Sequence, residues 1–367
     1  MIRRLFVCLW FAVAAHSAEP DGPYLLRGAE GWEAVSVAVE DGMGQRKSEP
    51  VTAAKTTIPG VGDQPSFDVQ LREPAAVARD VIKASGALFV VADTHGEFEI
   101  LATMLRQQGV VDSKLRWKFG RGHLVVLGDV FDRGPNHLEI LWLLYQLEAE
   151  AATAGGGVHL LLGNHEFMVM RGDVRYLNRK YVDTMRTLGL RSYSELFGAD
   201  SLLGQWLRTR PVMLKVNDLL CLHGGVSRAL TDTGMALPQI NATLRALLLP
   251  APPGNQSELQ RAELLLGSSG PLWYRGYFPQ HTDYPAASIE DVEASLKAFG
   301  VKRILVGHTI VPTITPLYDG KVIAVQVYPR RDESGAAIFE SLVVKGGKFW
   351  RATLDGKLER LVMPRAR

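Results

Sequence analysis

Five short stretches hold most of the side chains able to do chemistry. In chain order they are Asp93-Thr94-His95-Gly96, Gly128-Asp129-Val130-Phe131-Asp132-Arg133-Gly134, Gly163-Asn164-His165-Glu166, His223-Gly224-Gly225 and Gly307-His308-Thr309. Carboxylate oxygens and imidazole nitrogens in one set suit manganese, iron or zinc. Asp93, His95, Asp129, Asn164, His223 and His308 are six candidate ligands, more than one catalytic ion uses while keeping a position open. They suit two ions roughly 3.5–4 Å apart that share a carboxylate, and Asp129 is the natural bridge. Such a pair acidifies a water and neutralises phosphoryl oxygens during in-line attack. Arg133 follows Asp129 by four residues. A guanidinium there can hold a phosphate by two parallel hydrogen bonds. One such stretch alone says little, because polar residues after strands often cap turns. Five in order point to a site.

The stretches need elements to bring them together. Each follows an apolar, β-rich run: Ala87–Ala92, Leu124–Leu127, Val158–Leu162, Leu219–Leu222 and Ile304–Val306. Helical patterns at Glu97–Gln108, His137–Ala152 and Val174–Leu188 alternate with them, which predicts an α/β domain. Ligands of open α/β sheets bind at the carboxyl ends of the strands, so five loops should meet on one edge. Residues 167–300 read as an inserted, substrate-side region with a Pro/Gly-rich linker at Pro250–Gly254. Residues 321–363 return to strands, and Gly346-Gly347 marks a hairpin. Residues 19–80 differ: the alternation over Trp32–Val39 predicts a small antiparallel sheet, with a loose tether around 41–66.

In this order and spacing, the motifs resemble the PPP-type metallophosphatases of the calcineurin-like superfamily. The runs Gly163–Glu166 through Gly172–Tyr176, and Pro271-Leu272-Trp273-Tyr274-Arg275-Gly276, are similar to the Shewanella-like protein phosphatases, a bacterial-type branch associated with phosphotyrosine. The resemblance covers about residues 87–330. It implies a calcineurin-like metallophosphatase sandwich, two mixed β-sheets flanked by helices, over 81–367, with the small β-rich extension at 19–80. It implies two divalent or trivalent metal ions (Mn, Fe or Zn), the first held by Asp93 and His95, the second by Asn164, His223 and His308, with Asp129 bridging. His165 would be the general acid and Asp132 would orient its imidazole; a carboxylate there fixes the tautomer and raises basicity. Arg133 and Arg275 would clamp the phosphate. The implied reaction is phosphomonoester hydrolysis by a dinuclear-metal-bridged hydroxide in one in-line step, on a phosphorylated protein with tyrosine favoured. The alternatives are an exported phosphatase for small phosphomonoesters or dinucleoside tetraphosphates, and a non-catalytic phospho-binding protein. The Ser-Ala-Pro-Asn-Tyr motif of eukaryotic Ser/Thr enzymes is missing; Tyr328 stands in that region and fits no motif.

Other features narrow the class. The 367 residues are 47% hydrophobic and 22% charged, which excludes a disordered chain, a fibre and a disulfide-stapled miniprotein. Basic residues number 41 and acidic residues 39, so no charge field calls for nucleic acid. Met1-Ile2-Arg3-Arg4, the apolar run Leu5–Ala15 and the small residues Ser17 and Ala18 predict a signal peptide over 1–18 and a periplasmic protein. The run is shorter than the about 20 residues a bilayer span needs, so no stable membrane insertion is expected. Removal leaves no net formal charge and Cys221 as the one cysteine, so no internal disulfide forms. Cys221 sits in an apolar strand with no base beside it, which makes it an inert buried thiol. His123 and His159 read as surface or strand-entry residues, His137 as part of a helix's first turn, and His281 as a loop residue able to reach substrate. Arg171 and Arg175 either line the pocket or pair with Asp173 and Asp183. Trp273 and Tyr274 either stack on an aromatic leaving group or pack inside the inserted region.

Overall fold

The computed structural model describes residues 19–72, 76–249 and 254–364. The expected signal peptide, and all of the expected linker but Gly254, lie outside these residues. The described chain begins with an antiparallel sheet of β1 (Asp21–Arg27), β2 (Trp32–Glu40) and β3 (Met43–Pro50), followed by the hairpin of β4 (Lys55–Ile58) and β5 (Phe67–Gln70). Two six-stranded mixed sheets carry the rest. β6 (Val81–Ile82) is an edge strand of the second. The first is founded on three parallel strands, β7 (Leu88–Val91), β8 (His123–Val126) and β9 (Gly157–Leu160). The second adds β10 (Met213–Val216), β11 (Leu219–Leu222), β12 (Arg303–Val306), β13 (Thr315–Leu317) and β14 (Val322–Ala324), in the order β13-β14-β12-β11-β10-β6. After a small hairpin of β15 (Arg330–Arg331) and β16 (Ala337–Ile338), the chain returns to the first sheet as β17 (Glu340–Lys345), β18 (Lys348–Thr353) and β19 (Leu358–Arg360), with β17 antiparallel to β7. The helices are α1 (Phe98–Gln107), α2 (His137–Thr153), α3 (Asn164–Met170), α4 (Arg179–Leu188), α5 (Leu202–Arg208), α6 (Arg228–Asp232), α7 (Leu237–Ala246), α8 (Gln256–Leu266) and α9 (Ile289–Phe299). None of the described helices is long and apolar enough to cross a membrane.

The pattern follows from burial. Every residue of β7, β8 and β11 is buried, as expected of strands covered on both faces, which read as continuous apolar runs. His137 through Leu147 of α2 are likewise all buried, and a helix apolar all round belongs inside. Register then gathers the chemistry. Val91 pairs with Val126, and Val126 with Leu160, so the loops bearing Asp93, Asp129 and Asn164 leave one edge of the first sheet. Leu222 pairs with Val306, so His223 and His308 leave the second sheet side by side.

Two sequence expectations change. The tether expected around 41–66 contains β3 and β4. β3 is polar and largely exposed; its backbone ladder to β2, from Glu33↔Pro50 to Glu40↔Met43, makes it a strand. The helix expected from Val174 begins instead at Arg179, because Asn178 caps it by accepting from the Lys180 N–H. Residues before the cap serve the neighbouring loop, as described next.

Candidate active site

All five stretches converge. Asp93, His95, Asp129, Arg133, Asn164, His165, Arg275 and His308 line one cavity of about 240 Å³, and His223 lies beneath it, fully buried. Its Nδ1 donates to the Leu127 carbonyl (2.8 Å), which turns its Nε2 toward the cavity. Nε2 faces Asn164 Oδ1 at 2.8 Å, His308 Nδ1 at 3.1 Å and Asp129 Oδ2 at 3.1 Å. On the other side of Asp129, His95 Nδ1 donates to the Phe131 carbonyl (2.8 Å), leaving Nε2 3.8 Å from Asp129 Oδ2. Asp129, His223 and His308 form one close group of metal-ligating atoms, and His95, Asp129 and His165 form another. Asp93 lies against the first group: its carboxylate accepts from the His308 N–H (3.1 Å), and its Oδ1 is 3.8 Å from His223 Nδ1. Carboxylate oxygens, an amide oxygen and imidazole nitrogens converging out of water suit a cation among them, and the donor set fits two metal ions sharing Asp129.

Electrostatics agree. Burial pushes the Asp93 carboxyl up to about 7, with Asp129 adding to the rise. Burial depresses His95 to about 3. Burial also opposes charge on His223, but Asp129 and Asp93 outweigh it and raise the imidazole to about 9. Two carboxylates and three imidazoles crowded out of water are pulled in opposite directions, as at sites built to hold a counter-ion.

His165 Nδ1 donates to Asp132 Oδ2 at 2.5 Å, which leaves Nε2 free toward the cavity. Burial alone would lower this imidazole, but Asp129 and Asp132 overcome it and raise it. Asp132 is fully buried, and its Oδ1 has no partner. The Arg133 side chain is exposed, with its guanidinium 5.7 Å from the Tyr176 ring and 5.8 Å from the Tyr328 ring. Among the described residues no carboxylate pairs with it. Arg275 is more constrained: Nη1 donates to the His308 carbonyl (2.8 Å) and to Thr309 Oγ1 (3.1 Å). It thus holds the fifth loop as well as lining the cavity.

The backbone is bent to achieve this. Asp93, His95, Asp129, Asp132, Arg133 and His308 all adopt φ between +37° and +69°, a region unfavourable for residues with a Cβ. Gly163 is required by contact: a Cβ there would lie 2.2 Å from Asp129 Oδ1.

One buried residue had a place in the motifs but no assigned role. Glu166 is fully buried. Its Oε2 accepts from the N–H groups of Asp129 (2.8 Å) and Gly163 (2.7 Å), and its Oε1 from Val130 (2.7 Å) and Phe131 (3.2 Å). It ties the second loop to the start of α3. Its position three residues after the helix cap Gly163 is the capping-box spacing and was the available signal. Tyr176 of the Gly172–Tyr176 run and the loop residue His281 line the cavity, as do Gln326 and Tyr328, which belong to no motif. Trp273 lines it, whereas Tyr274 is buried. Arg175 pairs with Asp173 at 2.7 Å, away from the cavity. Arg171 lines a different, larger hollow of about 890 Å³ at the far end of α3, where no group of metal-ligating side chains was found among the described residues.

The profile of the calcineurin-like phosphoesterases matches residues 87–312. The chain belongs to this family. As a calcineurin-like phosphoesterase it has the expected two mixed sheets with flanking helices. It is similar to a cold-active protein-tyrosine phosphatase of a psychrophilic Shewanella species, with 33% identity and a TM-score of 0.81 over 94% of this chain and all of that one. It is also similar to Shewanella-like protein phosphatase 2 of Arabidopsis thaliana, 26% identical over 61% of this chain, and to Shewanella-like protein phosphatase 1 of Plasmodium berghei, 27% identical over 64%. The matches span 66% and 64% of those two relatives' lengths.

Proposed function

We propose that this calcineurin-like phosphoesterase hydrolyses phosphomonoesters of proteins, with phosphotyrosine preferred. The observation that carries the reading is the meeting of His308 Nδ1, Asn164 Oδ1 and Asp129 Oδ2 within about 3 Å of His223 Nε2, beside a free arginine. Asp93 and His95 would hold one ion, Asn164, His223 and His308 the other, and Asp129 both; manganese, iron and zinc suit these donors. The ions, when bound, supply Lewis-acid polarisation of the phosphoryl group and an acidified water. Arg133 binds the non-bridging phosphate oxygens in two-pronged fashion. Arg275 orients the His308 loop and adds a second positive charge. His165, its Nδ1 proton committed to Asp132, presents Nε2 to the leaving oxygen and donates a proton there as the ester bond breaks. Tyr176, Tyr328 and Trp273 at the cavity offer aromatic surface to an aryl leaving group. The similarity to a protein-tyrosine phosphatase supports the tyrosine preference. Export is proposed from the basic, apolar and small-residue order of residues 1–18.

The test is phosphate release with Mn²⁺ from matched phosphotyrosine and phosphothreonine peptides and a dinucleoside tetraphosphate. The expected result is strongest release from phosphotyrosine, abolished by chelator and by Asp129→Asn. Preference for the nucleotide would overturn the substrate claim. Metal binding with no turnover on any of them would leave a phospho-binding protein.

A further inference from the structure

Arg133 is exposed, and among the described residues its guanidinium stands near the Tyr176 and Tyr328 rings and pairs with no carboxylate, so its position depends on its backbone. That backbone is strained at Asp132 (φ 69°) and Arg133 (φ 65°), and such strain persists only where surroundings over-determine it. The surroundings are residues 176–181. The Arg133 N–H donates to the Tyr176 carbonyl (3.0 Å), and the Arg133 carbonyl accepts from Asn178 Nδ2 (2.7 Å). The Pro135 carbonyl accepts from Lys180 Nζ (3.0 Å) and the Tyr181 hydroxyl (2.6 Å). The start of α4 is therefore the mould of the arginine loop.

What fixes α4 comes from the N-terminal sheet. Lys180 is 6% exposed, and its ammonium divides its reach among the Pro135 carbonyl, Glu139 Oε1 (3.3 Å) and Asp21 Oδ1 (3.5 Å). Asp21 Oδ2 accepts from Thr184 Oγ1 (2.7 Å) on α4 and from the Tyr24 hydroxyl (2.6 Å) on β1. The Tyr24 hydroxyl in turn lies 2.8 Å from that of Tyr193, which lies 2.8 Å from His137 Nε2. Buried charge is retained only where it is paired and hydrogen-bonded. Here one buried lysine joins the extension, α2 and the arginine loop.

We propose that Asp21 and Lys180 are positioning residues for Arg133, and that the N-terminal sheet is thereby a working part of the phosphate site rather than an appended module. The proposal rests on Arg133 binding phosphate. The test uses Asp21→Asn, Lys180→Met, Lys180→Arg and Arg133→Ala, with the first two also combined with Arg133→Ala. Each is assayed for kcat, KM on an aryl phosphate, inhibition by inorganic phosphate, and melting temperature. Expected is an increase of about tenfold in KM and in the phosphate inhibition constant for Asp21→Asn and Lys180→Met, with kcat little changed. Lys180→Arg should recover part of the loss. In the Arg133→Ala background the first two substitutions should add almost nothing, since they act through the missing side chain. Equal losses with and without Arg133 would sink the positioning role. So would lowered melting temperature with unchanged KM, or failure of both Asp21→Asn and Lys180→Met to fold. Unchanged KM and phosphate inhibition in Arg133→Ala alone would instead overturn the phosphate-binding reading beneath it.

Discussion

Replacing Glu166 by glutamine changes one oxygen into an NH₂ group at a point where four backbone N–H donors converge at 2.7–3.2 Å. Whichever way the amide turns, two of those donors face another donor. A buried N–H left without an acceptor costs about 1–3 kcal/mol, so two cost about 2–6 kcal/mol. For a chain of this size, at about 2 °C per kcal/mol, the melting temperature should fall by about 4–12 °C. The freed groups belong to Gly163 and to the Asp129–Phe131 loop. The damage should therefore reach the proposed metal ligands, and weakening such supports lowers metal affinity or turnover by about 10–100-fold. Thermal melts and Mn²⁺ titration of turnover, on wild type and Glu166→Gln side by side, measure both effects. Excess Mn²⁺ should restore part of the turnover, because binding draws the loop back toward the competent form. A variant melting within about 1 °C of wild type, with the same Mn²⁺ requirement, would refute the reasoning that this carboxylate holds the loop.

Three further outcomes are expected. Asp132→Asn should lower kcat on phosphotyrosine by about 10–100-fold while sparing p-nitrophenyl phosphate, whose leaving group needs no proton; equal losses on both reject His165 as the acid. Cys221 is fully buried and its thiol is pushed up to about 12 by burial, so native protein treated with iodoacetamide should keep its activity, and inactivation in step with labelling counts against a cysteine-independent reaction. His159, 3.0 Å from His123, is depressed by burial to about 3, against about 6.5 when unfolded. The unfolded chain thus binds the extra proton first: this contribution is complete above about pH 6.5 and is lost as pH falls toward the folded value. His159→Gln should flatten the fall of melting temperature between pH 6.5 and 4, and an unchanged slope would show that other groups dominate acid unfolding.

The proposed ligands stand out in the sequence because their chemistry restricts residue type, and because each follows a strand rich in apolar residues. Arg133 and Asp132 stand out with them through their spacing to Asp129, and the structure places Arg133 at the cavity and Asp132 against His165. What sequence left hidden depends on contacts between distant segments. β3 has charged residues where a strand pattern would need alternation, and only its ladder to β2 declares it. The stretch from Val174 is periodic in sequence, but the Tyr176 carbonyl and the Asn178 side chain bond the Arg133 loop instead of continuing a helix. Asp21 meets Thr184 across 163 positions, and no local spacing can announce such a pair. Tyr328 fits no motif, since what sets it apart is its place near His95 and Arg133.

Six side chains at the centre of the proposed chemistry sit on left-handed backbone, where each costs roughly 1 kcal/mol or more. Glycine at Asp132 or Arg133 would relieve that cost while erasing the acid's partner or the phosphate's anchor. The gradient of fitness under selection for heat resistance alone therefore points away from function at these positions. Libraries screened only by melting temperature should collect inactive survivors here before anywhere else, and a useful thermostable variant of this enzyme family will come from screens that hold these six positions fixed.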